Sequence, residues 1–590
     1  MPEYLAPGVY VEETSFRAKS IEGVGTSTTA FVGPTRRGPI GGTPEMVTSL
    51  PDFERIYGSL ENLTLGGSST LNYVAHAVNA YFNNGGSRLY VMRTYDGSAA
   101  TNKGYAHATL IDGGGDDTKA VYVNARAPGA AYRGSVYFQA VKRPATKLTL
   151  GTAPQGSLLE ATVSGTATLF VKSGSDWADS SSNKLTLPAN PGDTPGDAGT
   201  QANLITLSVQ FQDADGDAQG WDDLGLAASH PRFIGTVLAT TPHNRNDQLQ
   251  NSIAVVVGSS VTAFDLHAAI VTALSKQADG SYLLPLADGD DGAQPANGAS
   301  GTAGTYADAL AILSGLEDIS IVATPGASAL SDAQAIQNEL IAHAEKRRAY
   351  RIAVLDSAAN QTPGDMRVAR GKIDSKYAAL YYPWVVVSNP LARPGRDDIP
   401  REIAVPPSGF VTGIYARNDV QRGVYKAPAN EVVTGALRFE SDINFAQQEL
   451  LNPLGVNCLR YLSGRGYRLW GARLASSDPE WKYVSDRRYF NYLEASIDRG
   501  TQWAVFEPNG ERLWANIRQT ISDFLYNEWK NGALLGTSTD QAFFVRCDRS
   551  TMTQNDLDNG RLVCLIGVAI IKPAEFVIFR IGQKTADAQN

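Results

Sequence analysis

Residues 318–326 read DISIVATPG and residues 351–356 read RIAVLD, with SDAQAIQNELIAHAEK (331–346) between them. The two short runs are apolar nearly throughout, the pattern of strands buried on both faces. The stretch between them carries Ala335, Ile336, Leu340, Ile341 and Ala344 at helical spacing behind a capping Ser331, and Pro325-Gly326 ends the first strand. A second helix over 365–380 and a third strand, PWVVVS (383–388), continue the alternation. Strands that alternate with helices and bury both faces predict a parallel sheet covered on each side.

Towards the N-terminus, IEGVGTSTTAFVG (21–33) is glycine-rich and then β-like, and STLNYVAHAVNAYFNNGGSRLYVMRTY (69–95) reads as a helix stopped by Asn84-Gly85-Gly86 and followed by a buried strand. Residues 141–202 are dominated by Gly, Ser, Thr, Ala and Pro with short β-like pieces, which predicts an inserted, surface-displayed β-rich lobe. Near the C-terminus, strands at 468–474, 503–506, 543–547 and 562–571 with helices at 481–499 and 511–531 predict a small βαβαββ unit of α+β type. The expected divisions are an arm over 1–25, an α/β core over 26–140 and 203–440, the insertion 141–202, the C-terminal unit 441–571 and a second arm over 572–590. Both ends carry strand-forming runs outside these units: GVYVEE (8–13) and PAEFVIFRIGQ (573–583). An unpaired strand edge recruits other chains.

The 590 residues are 43% hydrophobic and 19% charged with a net charge of −9, which places the chain among folded proteins and argues against sequence-independent nucleic-acid binding. No apolar run reaches the length of a membrane span, and no secretory signal is expected at the N-terminus. The three cysteines, Cys458, Cys547 and Cys564, fit reduced, buried thiols better than a disulfide framework.

Motifs for chemistry fail on inspection. DADGDAQGWDD (213–223) has Ala218 and Leu224 where a calcium loop needs glycine and glutamate, so it reads as an acidic turn, as does LADGDDG (286–292). GRGYRLWG (464–471) lacks the third glycine of a dinucleotide loop. GTS occurs at 25–27 and 536–538, but the first precedes every histidine, the reverse of the subtilisin order, no histidine is followed by glycine as in the subtilisin motif, and histidine spacing offers no metal site. No catalytic, cofactor-binding or metal-ligating residue is expected. Arginines crowd 460–473 (including Arg465 and Arg468), with Arg487 and Arg488 beyond them. They form either a solvated face or a basic patch for an acidic protein partner. In ERLWANIRQTISDFLYNEWKNG (511–532), the polar face of Arg512, Asn516, Gln519, Asp523, Asn527 and Lys530 is either water-exposed or a docking surface.

Taken in order, GVYVEE, IEGVGTSTTAFVG, NGGSRLYVMR, SKYAALYYPWVVV, VPPSGFVTGIYARNDVQRGVYKAPAN, GVNCLRYLSGRGYRLWGAR and KPAEFVIFRIG resemble the contractile tail sheath proteins of phages and phage-tail-like injection systems. The resemblance covers most of 1–140 and 300–582 and leaves out 141–202. It implies a subtilisin-like central fold without protease activity, and a self-assembling helical sheath around an inner tube, with baseplate and terminal cap proteins as further partners. It implies no cofactor, no nucleic acid and no membrane insertion, and a location in a virion tail or a cytoplasmic phage-tail-like particle. It implies that Gly8, Val9, Tyr10, Val11 and Glu12, and Phe576, Val577, Ile578, Phe579 and Arg580, are strands exchanged between subunits. The C-terminal unit would face the tube, with the polar face of 511–531 or the residues Arg465, Arg468, Arg487 and Arg488 as contacts. A non-contractile surface or fibre protein and a subtilisin-like hydrolase are the competing readings.

Overall fold

The computed structural model describes residues 20–581. Its main sheet runs in the order Met46–Val47, Leu89–Thr94, Thr29–Pro34, Ile321–Ala323, Ile352–Asp356, Ala378–Tyr382, Val456–Leu462, Gly466–Leu469, Glu431–Val432. From Leu89–Thr94 to Val456–Leu462 every pairing is parallel, and antiparallel strands close both edges. Alternate side chains feed two separate cores. Phe31, Ile321, Ile352 and Val354 face the helices Tyr73–Asn83 and Ser408–Arg422. Ala30, Val32, Val322, Ala353 and Leu355 face Tyr306–Leu313, Ala333–Glu345 and Pro363–Arg370. Two-sided burial is why these strands are apolar throughout.

The helices Tyr73–Asn83 and Ser408–Arg422 approach very closely. A methyl group on Gly409 would lie 2.6 Å from the Ala77 Cα, and one on Gly413 would lie 2.5 Å from the Tyr81 carbonyl oxygen.

Five expectations need correction. The helix expected over 365–380 ends at Arg370, and Ala378–Tyr382 is itself the third parallel strand. PWVVVS lies outside that sheet: Pro383 lacks an N–H, and Val385–Ser388 pairs antiparallel with Glu402–Val405 and Ala436–Phe439.

The β-rich lobe is much larger than 141–202. An antiparallel sheet built from strands between Ser135 and Pro285, and a three-stranded sheet of His107–Ile111, Val121–Ala125 and Ile253–Val257, share one core. Only its glycine-rich part looked inserted in sequence, because the flanking strands alternate and bury one face like any sheet residue. Finally, Val456–Leu462 and Gly466–Leu469 extend the main sheet instead of opening a separate C-terminal unit, and 503–506 is no strand. What remains beyond residue 475 is the helices Val484–Gly500 and Glu511–Lys530 with a two-stranded hairpin, Phe543–Arg546 and Leu565–Val568, around their own core.

The acidic turn at 213–217 joins lobe to core. Arg37 donates to Asp213 at 2.5 Å and to Asp217 at 2.9 Å, and Arg36 pairs with Asp215. Arg37 and Asp213 are both buried, so this is a lock between units and not a metal loop.

Gly409→Val is expected to lower stability by about 1–3 kcal/mol through overpacking against Ala77. Gly364→Ala, in a helix with room for the methyl group, is expected to raise it by about 0.4–1 kcal/mol. Denaturant midpoints of the two variants check the pair.

Candidate functional site

Residues 571–581 form neither helix nor strand. Phe576, Val577, Ile578, Phe579 and Ile581 are all exposed, Phe579 to 82% and Ile581 to 96%. Such a run presents apolar side chains on both sides of its backbone. Immediately before it, Glu575 is held from several directions. Arg473 donates twice to its carboxylate, at 2.7 and 2.6 Å, Asn452 Nδ2 donates at 2.7 Å, and the Tyr483 hydroxyl donates at 2.8 Å. The Lys482 ammonium lies 3.4 Å away. Burial acts to raise the carboxyl, but the hydrogen bonds from Arg473, Asn452 and Tyr483 and the charge of Arg473 outweigh it and hold the group down at about 2. The body of the chain is thus clamped at Glu575, and the next six described residues form no helix or strand, with the Lys482 ammonium 6.0 Å from the Phe576 ring centre. Sequence reasoning missed this clamp. The available signal was a single carboxylate set inside an apolar run, PAEFVIF.

At the other end, Gly8, Val9, Tyr10, Val11 and Glu12 lie outside the described residues. The first anchored side chain is Ile21, which is buried against Gly500 in the C-terminal core. The Val24 amide donates to Ser496 Oγ at 3.1 Å, and Thr26 Oγ1 donates to Asp419 at 2.6 Å. Arg488 completes this second clamp. It donates to both oxygens of Asp419, at 2.8 and 2.6 Å, and to the Thr26 carbonyl at 3.0 Å, with its guanidinium 4.8 Å from the Tyr415 ring centre.

Arg487 and Arg488 therefore do not belong to a docking surface. Both are buried, Arg487 against Tyr377, Trp481 and Phe490 with Asn491 and Glu494 as acceptors, Arg488 as described. Successive arginines at the start of an amphipathic helix looked like a patch, but tertiary packing supplied each with aromatic faces and acceptors. Arg465 is exposed over Trp470, and Arg468 is partly exposed and bonded to the carbonyls of Arg465 and Asn430. The side chains of Arg512, Asn516, Gln519, Asp523, Asn527 and Lys530 are all exposed, opposite the buried stripe of Leu513, Trp514, Ile517, Ile521, Phe524 and Leu525.

The geometry also bears on catalysis. His343 Nδ1 lies 3.4 Å from Ser314 Oγ, but its other nitrogen faces the Arg351 guanidinium, a cation where a triad has a carboxylate. Burial and the Arg351 charge push this imidazole down to about 3, so it stays neutral. Ser408, at the start of a helix, donates to the buried Asp356 through both its amide and its hydroxyl at 2.7 Å. Ser408 has no exposed surface, so that pair fixes the helix start on the sheet. Asp291 of the second acidic turn is buried and accepts from the Thr64 and Ala130 amides. Among the described residues no group of His, Cys, Asp and Glu is arranged to hold a metal ion. No helix there is long and apolar enough to cross a membrane.

Breaking the buried pair with Arg488→Ala is expected to cost about 3–5 kcal/mol, whereas the exposed Arg465→Ala should stay within about 0.5 kcal/mol of the parent. Thermal or denaturant unfolding distinguishes them. Because the Glu575 carboxyl is depressed in the folded state, the clamp's contribution is fully present above the ordinary value near 4.5 and is lost as pH falls towards about 2. Hydrogen exchange of the amides around 572–576 should therefore accelerate over that window, and Glu575→Gln should abolish the dependence.

The family model for the phage tail sheath protein central domain matches residues 299–473, and that for the phage tail sheath C-terminal domain matches 476–584. Their boundary falls where the main sheet ends and the helical C-terminal unit begins. A prophage major tail sheath protein of Pseudomonas aeruginosa (strain UCBPP-PA14) is 26% identical over 267 residues, which are 44% of this chain and 64% of that relative. The chain thus spans less than two thirds of this relative's length. In fold, it is similar to the contracted sheath of the PVC extracellular contractile injection system, with a TM-score of 0.53 at 18% identity over 99% of both chains. It is likewise similar to the contracted helical sheath of the anti-feeding prophage, with a TM-score of 0.53 at 19% identity over 98% of this chain and 100% of that one. The mixed α/β architecture with several sheets is therefore that of sheath subunits over the whole length. Over residues 299–473 and 476–584 the chain is thus similar to the central and C-terminal domains of contractile tail sheath proteins.

Proposed function

We propose that this chain is the structural subunit of a contractile sheath, which polymerises helically around an inner tube and contracts to drive that tube through a target envelope. The observation that carries the reading is the segment 576–581: rich in apolar residues, exposed, and in no strand pairing among the described residues. In the same chain the hairpin Phe543–Arg546/Leu565–Val568 stands as a sheet of two strands, with Phe544, Leu565 and Ile566 exposed. Two strands alone are marginal, and a third adds main-chain hydrogen bonds of about 1 kcal/mol each and buries side chains at about 1.5–3 kcal/mol each. Phe576–Arg580 of one copy supplies that strand to the hairpin of another, and Gly8–Glu12 supplies the corresponding strand from the N-terminal arm. A head-to-tail contact of this kind does not close on itself and builds a tube.

Contraction requires two packings of the same rigid bodies with links that survive both, and arms clamped at Glu575 and at Thr26 meet that requirement. The central parallel-sheet domain is read as subtilisin-like in fold and not as a protease. The lobe spanning residues 107–285 sits outermost, and the exposed face of Glu511–Lys530 with Arg465 and Arg468 meets the inner tube. Baseplate and terminal cap proteins occupy the ends of the tube.

Full-length protein viewed by negative-stain electron microscopy, alone or co-expressed with its tube protein, is expected to form hollow striated tubes. Deleting residues 1–14 or 576–590 should leave chains with unchanged circular dichroism that stay dispersed. Tubes formed by either truncation would contradict the linking-strand role, and fibres of a single fixed helical geometry would favour a non-contractile surface protein.

A further inference from the structure

The hairpin beyond residue 540 carries a feature that sheath assembly does not use. Its antiparallel register pairs Phe543 with Val568 and Arg546 with Leu565, so the next rung outward sets Cys547 opposite Cys564. Directly opposed residues of such a ladder have Cα atoms about 4.5–5.5 Å apart, inside the 4.4–6.8 Å range that a disulfide spans. Both cysteines are free thiols, and each is near enough to influence the other's titration. Their backbones are held in place independently: Arg518 donates to the Cys547 carbonyl at 3.2 Å, and Thr551 Oγ1 donates to the Val563 carbonyl at 2.8 Å. Cys547 is buried while Cys564 is partly exposed. The third cysteine, Cys458, lies buried in the main sheet and has no such neighbour in the register.

We propose that Cys547 and Cys564 are a dithiol that closes to an intramolecular disulfide at the base of this hairpin when the protein meets a low-molecular-weight disulfide. The accessible Cys564 loses its proton and its sulfur attacks one sulfur of the small disulfide, whose S–S bond breaks and releases one thiolate. Cys547, deprotonated in turn, attacks the Cys564 sulfur and displaces the second thiolate. The two cysteines together lose two electrons and two protons, and the small disulfide gains them as two thiols. Burial raises both protein thiols, Cys564 to about 12, so the pair reacts slowly and stays reduced in a reducing compartment. Closure ties the two strand ends together covalently across the loop 548–563. If the hairpin accepts a neighbour's arm, a consequence that rests on the sheath reading, the staple fixes the acceptor before or after assembly.

The test uses purified full-length protein as dispersed chains, so its outcome does not depend on tube formation. It is incubated at mildly alkaline pH with oxidised glutathione or with dithiothreitol, digested without reduction and analysed by mass spectrometry. Expected is the loss of two of the three thiols, a cross-linked peptide joining residues 547 and 564 that is lighter by two hydrogens, and an unmodified Cys458. Cys564→Ser should abolish the link, and Cys547→Ser should trap glutathione on Cys564. Amides of 543–568 should exchange more slowly in the oxidised protein. Retention of all three thiols, a wild-type product stopped at a glutathione adduct, or a link that leaves amide exchange unchanged would each overturn the proposal.

Discussion

Arg473 and Glu575 form a bidentate ion pair at the place where the folded body of this chain stops. Upstream, sheets and helices pack around buried cores. Downstream, five large apolar side chains stand in water. An exposed apolar strand is a liability for a monomer, so its persistence is informative only together with something that holds it away from its own body. The clamp does this. A carboxylate with two guanidinium hydrogen bonds, an amide and a hydroxyl is fully satisfied, and leaving it would strand a nearly buried Arg473 without its counter-charge.

The helix Val484–Gly500 relates the two ends. Its N-cap residue, Tyr483, donates to Glu575, and its C-terminal half receives the incoming chain through Ser496 and Gly500. At 1.5 Å rise per residue, the exits lie about 25 Å apart along one rigid rod. Arg488, near the start of the same helix, ties Thr26 and Asp419 into the joint. A motion of the C-terminal unit would therefore carry both attachment points together. Under the proposed function, links between copies would persist while the bodies rotate.

The parallel core was legible because its strands are buried on both faces and leave no ambiguity of period: DISIVATPG and RIAVLD lie side by side as expected. The exposed polar face of 511–531 was legible for the same reason in helical form. What escaped were features set by distant partners. AALYY (378–382) is apolar enough for either a helix or a strand, and only its neighbours in the sheet decide. The acidic turn at 213–217 looked solvated until Arg36 and Arg37, about 180 residues earlier, met it. Arg487 and Arg488 looked exposed because charge on a helix usually is. The cysteines gave no motif, since their opposition comes from strand register and not from spacing. The residues alone showed the terminal arms as unpartnered strand-forming runs, their exchange between subunits came only from the resemblance, and the clamps at Glu575 and Thr26 are purely tertiary.

The central claim is that the segment after Glu575 leaves its own chain and completes the hairpin of another. A cryo-electron microscopy map of tubes assembled from the full-length protein, at a resolution that traces the main chain, tests this most directly. The account predicts that Phe576–Arg580 runs as an extended strand hydrogen-bonded in the sheet of a neighbouring copy's Phe543–Arg546/Leu565–Val568 hairpin, with Glu575 still bound to Arg473 of its own copy. Density that folds this segment back onto its own hairpin, or leaves it unpaired in an intact tube, would contradict it.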